Sequence, residues 1–222
     1  RSPRDLEALA AAFARAIAEA IESPAVETAI SLLSSSGAVD RLMLFPELPF
    51  VVFESTQVNR TDADVSLGSI QPMSLVLGAR KETAGLRALG TAGLTGVGRD
   101  SNPGSYSFLA VADPESRAGF VAGWVTHERG SGLLFSDIKE GEAVVDARLD
   151  YGRLLVKPGR TVAPETLLIG YFADARLGLE AYADAVALYY RINLPPQPTV
   201  YCTWYHAGAS NETALPASAA FA

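Results

Sequence analysis

The chain has 222 residues and carries 18 Lys+Arg against 25 Asp+Glu, a net charge of −7, with 49% hydrophobic and 19% charged residues. That length holds one large or two modest cores, and apolar positions spread along the whole chain exclude a disordered polypeptide. Three lysines, Lys81, Lys139 and Lys157, leave no basic stripe to neutralise a run of phosphates, which excludes nucleic acid as a partner.

The single cysteine, Cys202, cannot form an intrachain disulfide or a multi-cysteine metal site. No run reaches the roughly eighteen apolar residues that a spanning helix needs, so no membrane association is expected. Arg1 opens the numbering, which points to a start after processing or at a chosen boundary. Residues 4–22 are not a signal peptide, because Arg15, Glu19 and Glu22 interrupt the apolar core. The compartment stays open between the cytoplasm and export with signal removal.

In chain order, Leu6, Leu9, Phe13, Ile17 and Ile21 recur at steps of three and four and predict an amphipathic helix within 1–25, ended by Pro24. Both signs of charge on its polar face point to packing on a neighbouring domain rather than on a membrane. Residues 26–173 then read as short β-rich runs, at 42–45, 50–53, 74–77, 106–112, 119–126, 133–138, 143–149, 153–156 and 167–172, separated by turn residues. Such spacing predicts a large antiparallel β-sandwich. In 119–126 both alternating faces are apolar, as expected of a strand covered on both sides, and Trp124 is assigned to the core. Lys139-Glu140-Gly141-Glu142 and Asp150-Tyr151-Gly152 predict hairpin turns, and Gly90, Gly93, Gly96 and Gly98 predict a loop. Over 174–198, Asp174 caps a helix carrying Leu177, Leu179, Tyr182, Val186, Tyr189 and Tyr190, and Pro195-Pro196-Gln197-Pro198 ends it. Residues 199–222 open with the β-prone run 199–205 and close on an alanine-rich stretch suited to a helix starting near Pro216.

Catalytic signatures are sparse. No phosphate-binding loop is present, the glycines at 90–98 do not match a dinucleotide fingerprint, and His127 and His206 lack helical ligand spacing, so no cofactor and no metal is expected. Asp62-Ala63-Asp64 reads as a solvated turn. His127 and Glu128, adjacent on an expected strand, would point to opposite faces. The pairs Asp137 with Glu140 and Glu142 with Asp146 could do acid/base work on a sugar, but their hairpin setting favours keeping exposed edges soluble. Asn59-Arg60-Thr61 and Asn211-Glu212-Thr213 are glycosylation triplets.

The end of the chain is more informative. Gly178-Leu179-Glu180-Ala181-Tyr182-Ala183-Asp184, then Leu194-Pro195-Pro196, then Val200-Tyr201-Cys202-Thr203-Trp204-Tyr205-His206 resembles a junction in glycoside hydrolase family 36, the α-galactosidases and raffinose-synthase-like relatives. The strong match covers 178–206. Tyr201 and the additional N-terminal helix depart from the family pattern. The resemblance implies a supersandwich with flanking helices, followed by the first βα unit of a catalytic (β/α)8 barrel. It implies that Trp204, flanked by Cys202 and Tyr205, lines the pocket for an α-galactoside, an indole face suiting the C–H groups of the ring. It also implies retaining hydrolysis by two carboxylates roughly 5 Å apart, which the family places on later barrel strands. The chain by itself is therefore expected to be inactive, with the remainder of the barrel as its partner and a homo-oligomer as its assembly. Two further readings stay open: a non-catalytic carbohydrate-binding or assembly sandwich, and a galactosyl transferase of raffinose-synthase type.

Overall fold

In the computed structural model the described residues are 28–33 (backbone), 38–45, 48–78, 83–98 and 104–197. The predicted N-terminal helix and the predicted barrel unit at 199–222 lie outside them, and no barrel unit is evident among the described residues. The described residues are mainly β: among them two antiparallel sheets form a sandwich with one helix after the last strand.

The strands are β1 (Thr28–Leu33), β2 (Val39–Leu44), β3 (Val51–Val58), β4 (Val65–Val76), β5 (Arg87–Gly90), β6 (Gly93–Gly96), β7 (Ser105–Tyr106), β8 (Phe108–Ala112), β9 (Gly119–Trp124), β10 (Ser131–Lys139), β11 (Glu142–Val156), β12 (Thr161–Val162) and β13 (Thr166–Phe172). Helix α1 spans Ala175–Tyr190. The large sheet runs β1-β2-β3-β13-β9-β8-β5-β6, with β12 also on β3, and the small sheet runs β4-β11-β10-β7.

The central strands β9 and β13 are buried on both faces. All six residues of β9 are buried. Its even-numbered side chains Phe120, Ala122 and Trp124 meet Leu134, Val145, Ala147 and Leu149 of the small sheet in one core. Val121 points the other way, with Val52, Ala110 and Leu168, into a second layer closed by Ala175, Leu179, Tyr182 and Val186 of α1. A strand with two dry faces reads as a near-continuous apolar run, which is why the expected double burial of 119–126 holds. Trp124 is 1% exposed and donates its Nε1–H to the Leu133 carbonyl at 3.3 Å, which satisfies the one polar atom of a core indole.

Several local expectations need correction. The turn at Glu140-Gly141 joins β10 to β11 with both residues at positive φ (53° and 83°), as predicted. Asp150-Tyr151-Gly152, however, is no hairpin. It is an irregularity inside β11, where the register against β4 shifts between Asp150 and Leu154 and Gly152 takes φ 62°. The run 153–156 therefore continues β11. The predicted strand 74–77 is the end of a twelve-residue β4. The glycines at 90–96 form the β5–β6 hairpin, with Gly90 opposite Gly93, and not a free loop. Asp146 does not keep an edge soluble: it is 4% exposed, accepting from Ser74 Oγ at 2.5 Å and pairing with Lys139 Nζ at 2.8 Å. Asn59 is buried as well, its amide nitrogen donating to the Ala63 and Val156 carbonyls at 2.8 and 2.7 Å, so in the folded chain the atom that a glycan would modify is already engaged.

Gly123 is where the second layer depends on one missing methyl group. A Cβ there would stand 2.2 Å from Tyr182 Cε2. Gly123→Ala should push α1 from the sheet and lower the unfolding free energy by about 1–3 kcal/mol, read as a lower urea midpoint with a changed near-ultraviolet circular dichroism of the tyrosines.

Candidate functional site

Three groups hold the end of β9 and the segment 125–130 that leaves it: one comes from α1, one from the entry to β13, and one lies in the segment itself. The first is Tyr182 of α1. Its hydroxyl donates to the Trp124 carbonyl at 2.6 Å, and one helical turn pair further on Tyr190 donates to the Val125 carbonyl at 3.0 Å. Residues 182 and 190 are eight apart, so they lie on one face of α1. The strand-end carbonyls that have no ladder partner are thereby satisfied by the helix.

The second is Glu165, just before β13, which is 1% exposed. Its Oε1 accepts from the amides of Arg129 and Gly130 at 2.7 and 3.1 Å. Nearby, the Val125 amide donates to the Thr166 carbonyl and the Thr166 amide to Thr126 Oγ1, both at 2.8 Å. The third is His127, whose Nδ1 accepts from the Gly132 amide at 3.4 Å. His127 thus sits in a connecting segment and not on a strand, and it braces that segment across its own turn.

Two buried oxygens here, Glu165 Oε2 and the Tyr151 hydroxyl, make no hydrogen bond among the described residues. Burial first, and the Glu165 charge second, push the Tyr151 hydroxyl up to about 12 from an ordinary 10.0. Burial first, and Tyr190 second, push Tyr182 up to about 12. Burial also raises Tyr190. At the head of the helix, Asp174 accepts from the Arg176 amide at 3.1 Å, binds the Arg176 guanidinium at 3.0 Å and lies 3.4 Å from Arg117. The Arg176 hydrogen bond above all, helped by the Arg117 charge, holds its carboxyl below the usual range. This is the predicted cap, and it suits the positive end of the helix dipole.

Chemically the arrangement positions; it does not attack. A catalytic carboxylate must reach its substrate, whereas Glu165 is sealed in and one of its oxygens is spent on backbone amides. No group of three or more His, Cys, Asp or Glu that could hold a metal occurs among the described residues. Cys202, Trp204 and Tyr205, the sequence-predicted pocket residues, lie outside the described residues, as do His206 and the Asn211 triplet. Sequence reasoning missed Glu165 altogether: its partners are 35 and 36 residues away, and the one local signal is a lone carboxylate at the entry to an apolar strand.

No protein-family model and no curated protein matches the chain. Solved structures show a partial, low-identity likeness to the N-terminal β-sandwich region of glycoside hydrolase family 36 α-galactosidases and to mutarotase-like sandwiches. A variant family 36 α-galactosidase from Geobacillus stearothermophilus in complex with stachyose superposes with a TM-score of 0.45 at 15% identity, over 66% of this chain and 24% of that one. The α-galactosidase from Lactobacillus brevis gives 0.48 at 13% identity, over 69% and 24%. A galactose mutarotase-like protein from Clostridium acetobutylicum gives 0.37 at 9% identity, over 66% and 61%. The matched part therefore spans about a quarter of each α-galactosidase. No helix among the described residues is long and apolar enough to cross a membrane.

Two outcomes follow for the segment 125–130. Glu165→Ala strands two amides and should cost about 1–3 kcal/mol by chemical denaturation, while Glu165→Gln keeps an acceptor and should lower the Tyr151 pKa from about 12 by removing the negative charge beside it. For the tyrosines the folded state holds the proton more tightly than the unfolded chain. Their contribution is intact below about 10 and is lost as the pH rises toward 12. Tyr182→Phe should cost about 1 kcal/mol at neutral pH and remove part of that alkaline loss, followed by tyrosinate absorbance alongside unfolding.

Proposed function

We propose that this chain is the N-terminal sandwich part of a retaining α-glycosidase of α-galactosidase type, with its catalytic aspartates outside residues 1–222. The observation that carries the reading is the fit between the resembling segment and the architecture it enters. Two residues of the run 178–184 have defined structural duties. Gly178 lets α1 press on Phe172, where a Cβ would lie 2.5 Å from Cδ2, and Tyr182 holds the Trp124 carbonyl. The segment is thus built into the sandwich, and α1 follows β13 after two residues. Its order of sandwich, helix and prolines is the order that the resemblance requires before a first barrel strand.

On this reading residues 1–25 form the N-terminal helix, 26–173 the sandwich, 174–198 the linker helix with its prolines, and 199–222 the start of the barrel. Trp204 forms a wall of the sugar pocket, stacking its indole on the apolar side of a galactose-like ring, with Cys202 and Tyr205 beside it. The chemistry is a double displacement in which one carboxylate attacks the anomeric carbon and another protonates the leaving oxygen. Neither group is supplied here, so the sandwich supports the barrel, shapes the rim of its pocket and joins subunits in a homo-oligomer.

The test is galactose release from α-galactosides such as raffinose by the polypeptide with its barrel supplied. Hydrolysis is the expected result, and inactivity on every α-glycoside, with sugar binding by residues 1–222 alone, would instead favour the non-catalytic sandwich. In the active polypeptide Trp204→Ala should lower kcat/KM about ten-fold with folding intact. Simple unfolding would mark Trp204 as a packing residue.

A further inference from the structure

At one end of the sandwich the two sheets do not close on each other. A cavity of about 950 Å³ opens there between the ends of β2, β4 and β13 and the start of β9. Leu44, Leu75, Leu77 and Leu86, all partly buried, line it with Ile169, and Tyr171 stands at its edge, 74% exposed. Sugars and other polar ligands need several convergent polar groups. Among the described residues the polar side chains in this lining are Asp113, Ser116 and the exposed Tyr171 at its edge, and the Asp113 carboxylate already accepts from the amides of Glu115 and Ser116 at 2.8 and 2.9 Å to fix their own turn. The cavity therefore calls for an apolar occupant.

We propose that the occupant is the amphipathic segment 4–22 of the same chain, laid into the opening by its Leu6, Leu9, Phe13, Ile17 and Ile21 face. The connection makes this feasible. Strand β1 begins at Thr28, whose register partner on β2 is Leu44, a residue of the cavity wall. The chain thus enters the sandwich at the open end, one strand spacing of about 4.8 Å from the lining. Residues 23–27 span up to about 17 Å when extended, and a helix over 4–22 is about 28 Å long. Chemistry agrees as well as reach: the segment carries an apolar stripe of five large side chains, which the sequence reading already sets against a neighbouring domain, and Arg4, Arg15, Glu19 and Glu22 fall on the opposite face of that helix.

The test uses the full chain with Tyr171→p-benzoylphenylalanine, a change at an exposed position on the cavity edge. Irradiation followed by trypsin should give an adduct within one chain that joins the residue-171 peptide to the tryptic peptide 5–15. Ala11→Asp, on the polar side of the segment, should leave the yield unchanged. Phe13→Asp, which would carry a charge into the apolar opening, should lower it about fivefold or more. Adducts joining two chains would assign the cavity to a second copy and overturn the proposal. So would adducts that never map to peptide 5–15, or a yield indifferent to Phe13→Asp.

Discussion

Double burial of the central strands is the constraint on which the rest of the fold depends. Once β9 and β13 carry apolar side chains on both faces, the sandwich cannot stop at two sheets, because Val121, Leu168 and Ala110 would stand in water. Burying a residue of that size is worth about 1.5–3 kcal/mol relative to exposure, so a third layer is required on the outer face. Helix α1 supplies it. Close approach is then decided by glycines, Gly123 beneath Tyr182 and Gly178 beneath Phe172, and by hydroxyls that convert the end of β9 from a site of unpaired carbonyls into an anchorage.

Polar groups inside the molecule obey the same logic at higher cost. Asp40 accepts from Ser55 Oγ at 2.6 Å across β2 and β3, and Asp146 is held by Ser74 and Lys139 across β4, β11 and β10. Each buried carboxylate is paired where two strands meet, which makes a slipped register expensive: a shift of one residue would leave the charge without its partner. Glu165 extends this to a connection, fixing the backbone of 129–130 with a side chain from the start of β13. These groups specify alignment rather than reactivity.

Much of this was legible from residue patterns. Runs rich in valine, leucine and phenylalanine marked the interior strands, period-3.6 spacing with Asp174 at its head marked α1, and the apolar faces of 119–126 announced double coverage. What failed did so where local and tertiary signals conflict. Gly68, Gln71 and Pro72 hide the first two thirds of β4, which pairs on one side with β11 and takes its shape from that partner. Glycines at 90–96 imitate a loop although they close a hairpin. Gly152 imitates a turn because a bulge and a hairpin ask the same positive φ of one residue. Glu165 offered only the weak signal of a lone carboxylate at the entry to an apolar strand, since its role exists only when β9 and β13 are neighbours. The pocket residues Cys202, Trp204 and Tyr205 rest on resemblance, because an aromatic on a β-prone run has the same local pattern in a core as in a binding wall.

If the outer helix is a layer of the sandwich and not a tether hung upon it, the two must open together. Native-state hydrogen exchange across a urea series measures this directly. The account predicts that amides in the middle of α1, around Ala181 to Val186, and those of Val121 to Trp124 in β9 converge on one exchange free energy with one urea dependence. Helix amides that exchange by a separate opening several kcal/mol below the strand would contradict it.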